Sequence, residues 1–526
     1  MEKEFLFLLL SLTLVSSVYA TDIGIINCAS LGTPGATYVL TSDIRNSSEM
    51  TCLHILADDV TLDCRGHTVE GRNLSDTIGI YVNAVSGANV RNCAAKNWFY
   101  GVVSVNGDYN TFINITSISS KSWGFIIMGG VGSTVRNMTV SDSESSGVNL
   151  WNTSKNTVDD VRSFDNLGDG HGFILDTTTN STLRNIKSYD NSQNGLYLYY
   201  SDNNLIGNAS TYANNFSGVY LYNSRNNTLD NITTRDNNDS GLFIYQSDAN
   251  TVRDAKIMGC KSFGLNLWTA SDNKISGIIS HDTQDSHGVI LDNSDNNTLD
   301  GIETYNNGQE GIYLYYSDNN LIGNASTYAN NFSGVYLYNS RNNTLNNIKT
   351  RDNNDSGFVI YQSDANTVTG SEITGNNIAG VSIYYSTDNV IYNNFFENFE
   401  SNYLLEDVDG TNYWNTTRQT GTRVYSPGTG IAGNYWASPD GDGYSEVCED
   451  ADRNGFCDLG YELAADNIDY LPLSDEYVQQ GCSLAGDEPP CGQVSVTEIL
   501  NLIMKWSNGQ ATIQEVLVLI QTWAQG

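Results

Sequence analysis

One phrase recurs about fourteen times in this chain, and it constrains the fold more than any other feature. Its clearest form is Gly195-Leu-Tyr-Leu-Tyr-Tyr-Ser-Asp-Asn-Asn204. Equivalent phrases open at Gly79, Gly101, Gly124, Gly147, Gly172, Gly218, Gly241, Gly264, Gly288, Gly311, Gly334, Gly357 and Gly380, at spacings of 22 to 25 residues, most often 23. A fixed period of this size means stacked units, none of which can bury its apolar face alone.

The phrase has a parity. One and three residues after each glycine the side chain is almost always aliphatic or Phe, as in Leu196 and Leu198, Val219 and Leu221, Leu242 and Ile244. Two and four residues after, it is usually aromatic or polar. Period two is the mark of a strand with one buried face. Asn stands at the ninth position (Asn156, Asn204, Asn227, Asn250, Asn273, Asn297, Asn320, Asn343, Asn366, Asn389), and an aliphatic returns two residues later. Strands broken by Gly and Asn turns, with no helix between them, predict an all-β fold, a right-handed parallel β-helix. Each coil should hold about three strands of ~4–5 residues and rise ~4.8 Å above the last. Equivalent residues then form ladders, and stacked Asn side chains hydrogen-bond along one turn. The glycine is expected to supply a bend that a Cβ would obstruct.

The chain divides accordingly. Residues 1–20 carry a short apolar run, Phe5 to Val15, and end in Val18-Tyr-Ala20, the pattern of a secretory signal. Residues 21–78 read as an N-terminal cap and first coil covering an open sheet edge. Residues 79–410 are the repeats, 411–475 a β/loop segment, and 476–526 a small helical module. No later apolar stretch is long enough to span a membrane. A net charge of −35 and a pI of about 4.2 argue against nucleic acid and anionic membrane as partners. Asn-X-Ser/Thr acceptors at Asn46, Asn73, Asn114, Asn137, Asn208, Asn215, Asn324 and Asn331 are candidate glycosylation sites.

Nine cysteines suit an exported protein. Cys64 and Cys93 hold the same place in successive coils, a step that fits a disulfide. The expected scheme is Cys28–Cys52, Cys64–Cys93, Cys448–Cys457 and Cys482–Cys491, with Cys260 left as a buried thiol; other pairings among the first four remain possible.

A longer repeat lies inside the short one. Tyr199 to Ser210 recurs unchanged from Tyr315 to Ser326, an offset of 116 residues. His171-Gly172 and His287-Gly288 keep that offset. A five-coil block has been duplicated, so a site in one copy should have a twin.

These coils resemble the parallel β-helix repeat proteins of the pectin-lyase-like superfamily. The run Asn412-Tyr-Trp414, Gly433-Asn-Tyr-Trp436, Asp440-Gly-Asp-Gly443 and Asp469-Tyr-Leu-Pro-Leu473 resembles the tail of NosD-like secreted β-helix proteins, common on archaeal surfaces. The coil pattern is specific for fold and unspecific for activity. NosD-like proteins are described as copper-binding; five His and six Met in no paired cluster give no ground for carrying copper over.

Two segments suggest other chemistry. Asp450-Ala-Asp452-Arg-Asn454-Gly455-Phe-Cys-Asp458 matches the first half of a calcium loop, with oxygen ligands at positions one, three, five and nine and Gly at six. Tyr461 replaces the Glu at position twelve; Glu462 could substitute, and Asp440 with Asp442 could make a weaker second site. Ser495-Val-Thr-Glu498 and Thr512-Ile-Gln-Glu515 are two capping boxes, each opening an apolar helix. This segment resembles a dockerin module, which implies a protein receptor. Its loops depart from the pattern at Pro489 and Cys491, so a two-helix cap is the alternative.

The outward positions four after each glycine include Trp151, Asp176, Tyr199, Tyr222, Tyr245, Trp268, Asp292, Tyr315, Tyr338, Tyr361 and Tyr384; those two after add Tyr197, Tyr220, Phe243, Tyr313 and Tyr336. Such an aromatic stripe suits the C–H faces of sugars or a protein partner. Strand packing alone would also place aromatics there. A lyase or hydrolase site could use Asp176, Asp292, His171 and His287, and Gly170-His171-Gly172 resembles a polygalacturonase tripeptide. No second acid stands beside Asp176 in the stripe, and a glycosidase needs two. The expectation is a secreted, cell-surface protein that binds a polysaccharide or surface glycan, or mediates adhesion, without catalysis. A polysaccharide lyase or hydrolase and a purely structural surface protein are the alternatives. Structural calcium is the expected cofactor.

Overall fold

The computed structural model describes residues 22–408, 410–475, 485–486 and 494–525. The expected signal segment, residues 1–20, and the expected Cys482–Cys491 pair lie outside them. The chain is a parallel β-solenoid of about 16 turns of about 23 residues. It forms two compact units, residues 1–279 and 280–526.

In the first unit most coils contribute one short and one long strand, the long one being split in a few, as in Thr251–Arg253 and Lys256–Met258. The short strands, among them Phe173–Asp176, Leu196–Tyr199, Val219–Tyr222 and Leu242–Tyr245, pair in parallel and in register. The long strands, such as Thr182–Tyr189, Leu205–Tyr212 and Thr228–Arg235, form a second parallel sheet. A third separate strand per coil was expected. It is the second half of the long strand, which bends at a left-handed residue: Asn185, Asn208 and Asn231 have φ of 55°, 53° and 53°. In the second unit the pairing lapses at that bend more often, and the strand divides, as in Leu321–Gly323 and Ser326–Tyr328.

The parity is borne out. Leu196, Leu198, Val219, Leu221, Leu242 and Ile244 are fully buried. Most of the repeat glycines, Gly195, Gly218 and Gly311 among them, lie at bends as expected, but not because of a left-handed backbone. None of Gly195, Gly218 and Gly311 has a positive φ. A Cβ on Gly195 would sit 2.6 Å from the carbonyl oxygen of Gly218 and 2.8 Å from Asn214 Nδ2. These glycines allow each coil to lie on the next.

The ninth-position asparagines form the predicted ladder. Asn227 Oδ1 accepts from Asn204 N–H (2.8 Å) and Nδ2 (3.2 Å), while Asn227 Nδ2 donates to Ser201 O (2.9 Å). Its continuation in the second unit runs from Asn389 through Asn412 to Asn467. A second buried ladder, Asn166–Asn191–Asn214–Asn237, lies before the repeat glycines. These ladders satisfy buried turn backbone that would otherwise lack partners.

The N-terminal segment contributes strands to both sheets. Ile23–Ile25 and Ala29–Leu31 already pair in parallel with Thr37–Leu40 and Thr51–Ile55. Cys28–Cys52, Cys64–Cys93 and Cys448–Cys457 form disulfides, and Cys260 is free and buried, which pushes its thiol up to about 11. At the other end Ser401–Glu406 pairs with Ala379–Tyr384, Tyr413 bridges Val390, and Phe395 and Phe396 pair with Tyr435 and Trp436 in parallel, so the residues between Tyr413 and Tyr435 are an insertion within one more turn. Both capping boxes form, and the helices Val496–Ser507 and Ile513–Gln525 pack through Ile499, Leu502, Val516 and Leu519.

Candidate functional site

The short-strand sheet carries the aromatic residues, because outward side chains of parallel, in-register strands must stack coil on coil. In the first unit Tyr197, Tyr220 and Phe243 stack at 5.1 and 4.8 Å with interplanar angles of 19° and 7°. Beside them Tyr199 and Tyr222 stack at 5.5 Å, Tyr222 and Tyr245 meet at 5.3 Å, and Tyr245 and Trp268 at 4.9 Å. In the second unit Tyr313 and Tyr336 meet at 5.2 Å; Tyr315, Tyr338 and Tyr361 stack at 5.3 and 5.2 Å, and Tyr384 follows at 6.1 Å.

This geometry alters what the stripe offers. Rings stacked along a ladder cover one another's faces, and present edges and hydroxyls outward. The inner column is half-buried. Burial raises the Tyr197, Tyr220 and Tyr313 phenols well above their ordinary range and pushes Tyr336 up to about 12, so all remain neutral hydroxyls. Trp151, Tyr199 and Trp268 are the most open of the outer column.

Sequence reasoning missed the residue after the outer column. Tyr200 and Tyr316 are 47% and 46% exposed, and their rings stand at 88° to those of Tyr199 and Tyr315. Both have φ of 46°. Tyr385 is similar, but its hydroxyl donates to Asp407 Oδ2 at 2.7 Å. The double aromatics Tyr199-Tyr200, Tyr315-Tyr316 and Tyr384-Tyr385 were the available signal. A further stack lies on the long-strand sheet: Phe164, Tyr189 and Tyr212 at 4.8 and 4.7 Å, with the Arg235 guanidinium 4.4 Å over Tyr212. Its twin is His281, Tyr305, Tyr328 and Arg351. The seventeenth residue after each repeat glycine carried that signal.

Asp176 lies in register between Trp151 and Tyr199, with no acid on either side, and accepts from the Thr177 hydroxyl at 2.7 Å. Asp292 lies in register with Tyr315 and accepts from Asn293 Nδ2 at 2.6 Å; burial raises its carboxyl. His171 is stacked on Tyr197 at 5.0 Å, and its Nδ1 accepts from Asn194 N–H at 3.3 Å. Burial lowers it to about 4, so it is neutral. His287 Nδ1 lies 2.7 Å from Glu310 Oε2, both side chains nearly buried.

The loop after the coils brings its carboxylates together. Oxygens of Asp450, Asp452 and Asp458 lie within 4.8 Å of one another, the only such group of three among the described residues. Asp450 is buried and takes N–H groups of Asn454 (3.0 Å) and Gly455 (2.7 Å); Asn454 Oδ1 accepts from Phe456 N–H. Burial raises the Asp450 carboxyl, whereas hydrogen bonds from Asn454 lower Asp452. Glu462 stands on the strand Tyr461–Ala464 and is not in this group, nor are the exposed Asp440 and Asp442. Arg423 braces the loop by donating to Gly455 O at 2.9 Å.

A solenoid of parallel coils with stacked aromatic ladders defines a β-helix repeat protein. The chain matches the family model "Right handed beta helix region" over residues 78–193 and 171–299, and "Periplasmic copper-binding protein (NosD)" over 261–441. It is a NosD-like parallel β-helix protein. No curated protein matches it. Among solved structures, the periplasmic alginate epimerase AlgG shares 16% identity at a TM-score of 0.35, covering 71% of this chain and 79% of its own. PfbA, a surface adhesin of Streptococcus pneumoniae, shares 10% at 0.39, covering 58% and 84%. The A-module of the Azotobacter vinelandii mannuronan C-5 epimerase AlgE6 shares 16% at 0.27, covering 73% and 89%.

The residues do not fit copper. The three-acid group offers hard oxygen donors, whereas copper favours imidazole and soft sulfur. His171 is stacked on Tyr197, and His281 and His287 are engaged with Asp282 and Glu310 respectively.

Proposed function

We propose that this is an exported β-helix protein that binds carbohydrate through the aromatic surface of its short-strand sheet, without catalysis. The observation that carries the reading is that surface itself. The open rings of Trp151, Tyr200, Trp268 and Tyr316 stand beside the phenol edges of the ladder and the Asp176 and Asp292 carboxylates, the pairing of apolar face and hydrogen-bonding edge that a sugar requires. The neutral, occupied His171 and the isolated Asp176 argue against an acid–base pair. Three disulfides suit an oxidising compartment. A polysaccharide panel tests the reading: retention without new reducing ends or unsaturated product is expected. Turnover would replace binding by catalysis, and no retention would remove the carbohydrate assignment.

The loop from Asp450 to Asp458 is proposed to hold one structural calcium ion. Asp450, Asp452, Asn454 and Asp458 supply oxygen ligands of the hard type that calcium selects. The Cys448–Cys457 bridge closes the same loop.

A further inference from the structure

Resting on the carbohydrate reading, we infer that each unit carries one discrete sugar subsite, built on Tyr200 in the first and Tyr316 in the second. The subsite takes an uncharged, hydroxyl-rich glycan in preference to a polyuronate.

The first argument is conformational. The fifth position after the repeat glycine is left-handed whatever residue stands there: φ is 48° at Asn152, 50° at Thr177, 46° at Asn223 and 49° at Gln246. The coil imposes this, and Asn tolerates it best. A large aromatic ring is a poor choice on stability alone. Its presence at the same place in both copies of the block points to a use for the ring.

The second argument is orientation. The ladder rings hide their faces in the stack. Tyr200 stands at 88° to Tyr199 and 75° to Tyr222, with centroids 4.6 and 5.8 Å away; Tyr316 stands at 88° and 65° to Tyr315 and Tyr338, at the same distances. Each of these rings therefore turns out of the stacking direction and can offer a face to the C–H side of a sugar.

The third argument concerns charge. Asp176, one strand before Tyr199, uses Oδ1 for the Thr177 hydroxyl, and its Oδ2 has no hydrogen-bond partner among the described residues. Asp292 stands likewise before Tyr315. On the following coils Asn223 Nδ2 donates to Gln246 Oε1 at 3.3 Å, and Asn339 to Gln362 at 3.2 Å, so the far side of each subsite is amide. The guanidiniums of Arg225 and Arg341 are already paired with Asp248 at 3.3 Å and Asp364 at 3.5 Å. Carboxylates and amides accept sugar hydroxyls. With both guanidiniums already paired and the Asp176 and Asp292 carboxylates beside the rings, the carboxylate of a uronate would be repelled.

Titration calorimetry of the full chain with neutral gluco-, manno- and galacto-oligosaccharides, and with oligogalacturonate and oligomannuronate, tests this. A neutral series should bind at two sites per chain. Tyr200→Asn should leave one site, and Tyr200→Asn with Tyr316→Asn should weaken binding at least about tenfold. The melting temperature of these variants should be equal or higher, because Asn suits the left-handed corner. Asp176→Asn with Asp292→Asn should narrow the preference for neutral over uronate chains. Neutral-glycan binding that survives the double tyrosine replacement would overturn the subsite while leaving the carbohydrate reading standing. A large fall in melting temperature would assign the rings to packing. Equal binding of uronates would overturn the ligand class, and no glycan binding at all would remove both readings.

Discussion

His287 Nδ1 lies 2.7 Å from Glu310 Oε2, where the equivalent His171 instead accepts an N–H from Asn194. The duplicated blocks have thus diverged at one buried contact. Replacing Glu310 by Leu removes the imidazole's carboxylate partner and should cost ~1–3 kcal/mol. Glu310→Asn restores the pairing of the first block and should cost clearly less. Thermal melts of both variants check this; equal losses would show that the carboxylate contributes nothing beyond its volume.

The glycine columns make a sharper prediction. A Cβ on Gly218 would meet the Gly241 carbonyl oxygen at 2.7 Å and Asn237 Nδ2 at 2.8 Å, whereas on Gly207 the nearest atom is a side-chain carbon of Arg184 at 3.8 Å. Gly218→Ala should therefore destabilise by ~1–3 kcal/mol, as overpacking does. Gly207→Ala should be neutral or slightly stabilising. Denaturant melts distinguish the two, and similar effects would show that close approach to the next coil is not what the repeat glycines are needed for.

Chelation should lower the melting temperature if the loop at residues 450–458 holds calcium, because an ion bound only by the folded state stabilises it. Asp452→Ala should abolish most of that difference. Elemental analysis of the purified chain finding no calcium, with no melting shift on adding it, would reject the site.

Asp469 gives a pH dependence. Its carboxylate is fully buried and accepts from Asn434 N–H (2.8 Å), Trp436 Nε1 (3.0 Å) and Leu471 N–H (3.1 Å). Burial pushes it up to about 7 against the pull of those donors. A carboxyl raised on folding contributes stability that is complete below its unfolded value and lost as pH rises through its folded value. Between about pH 4 and 7 each unit should therefore cost up to ~1.4 kcal/mol. Melts of the wild type and Asp469→Asn across that range isolate the effect; parallel curves would mean that the three donors keep the group ionised throughout.

The repeat and its parity were legible because they are one-dimensional. A period of 23 and alternation after each glycine determine which residues are buried, since a strand in a coil can turn only one face inward. The stacked asparagines and the Cys64–Cys93 step followed from the same periodicity. The glycine bend that a Cβ would obstruct was legible too; which atoms of the next coil do the obstructing was not, because that depends on the distance between coils. The ring planes were equally hidden. Tyr199 and Tyr200 are neighbours in sequence, yet one lies in the stack and the other across it, because the coil turns left-handed between them. The three carboxylates of residues 450–458 could be named from spacing, but Glu462 could be set aside only when the strand carrying it was placed. Sequence determined the ladder, since register repeats; tertiary structure decided which ladder atoms face outward, since that depends on backbone dihedrals and on the coil above.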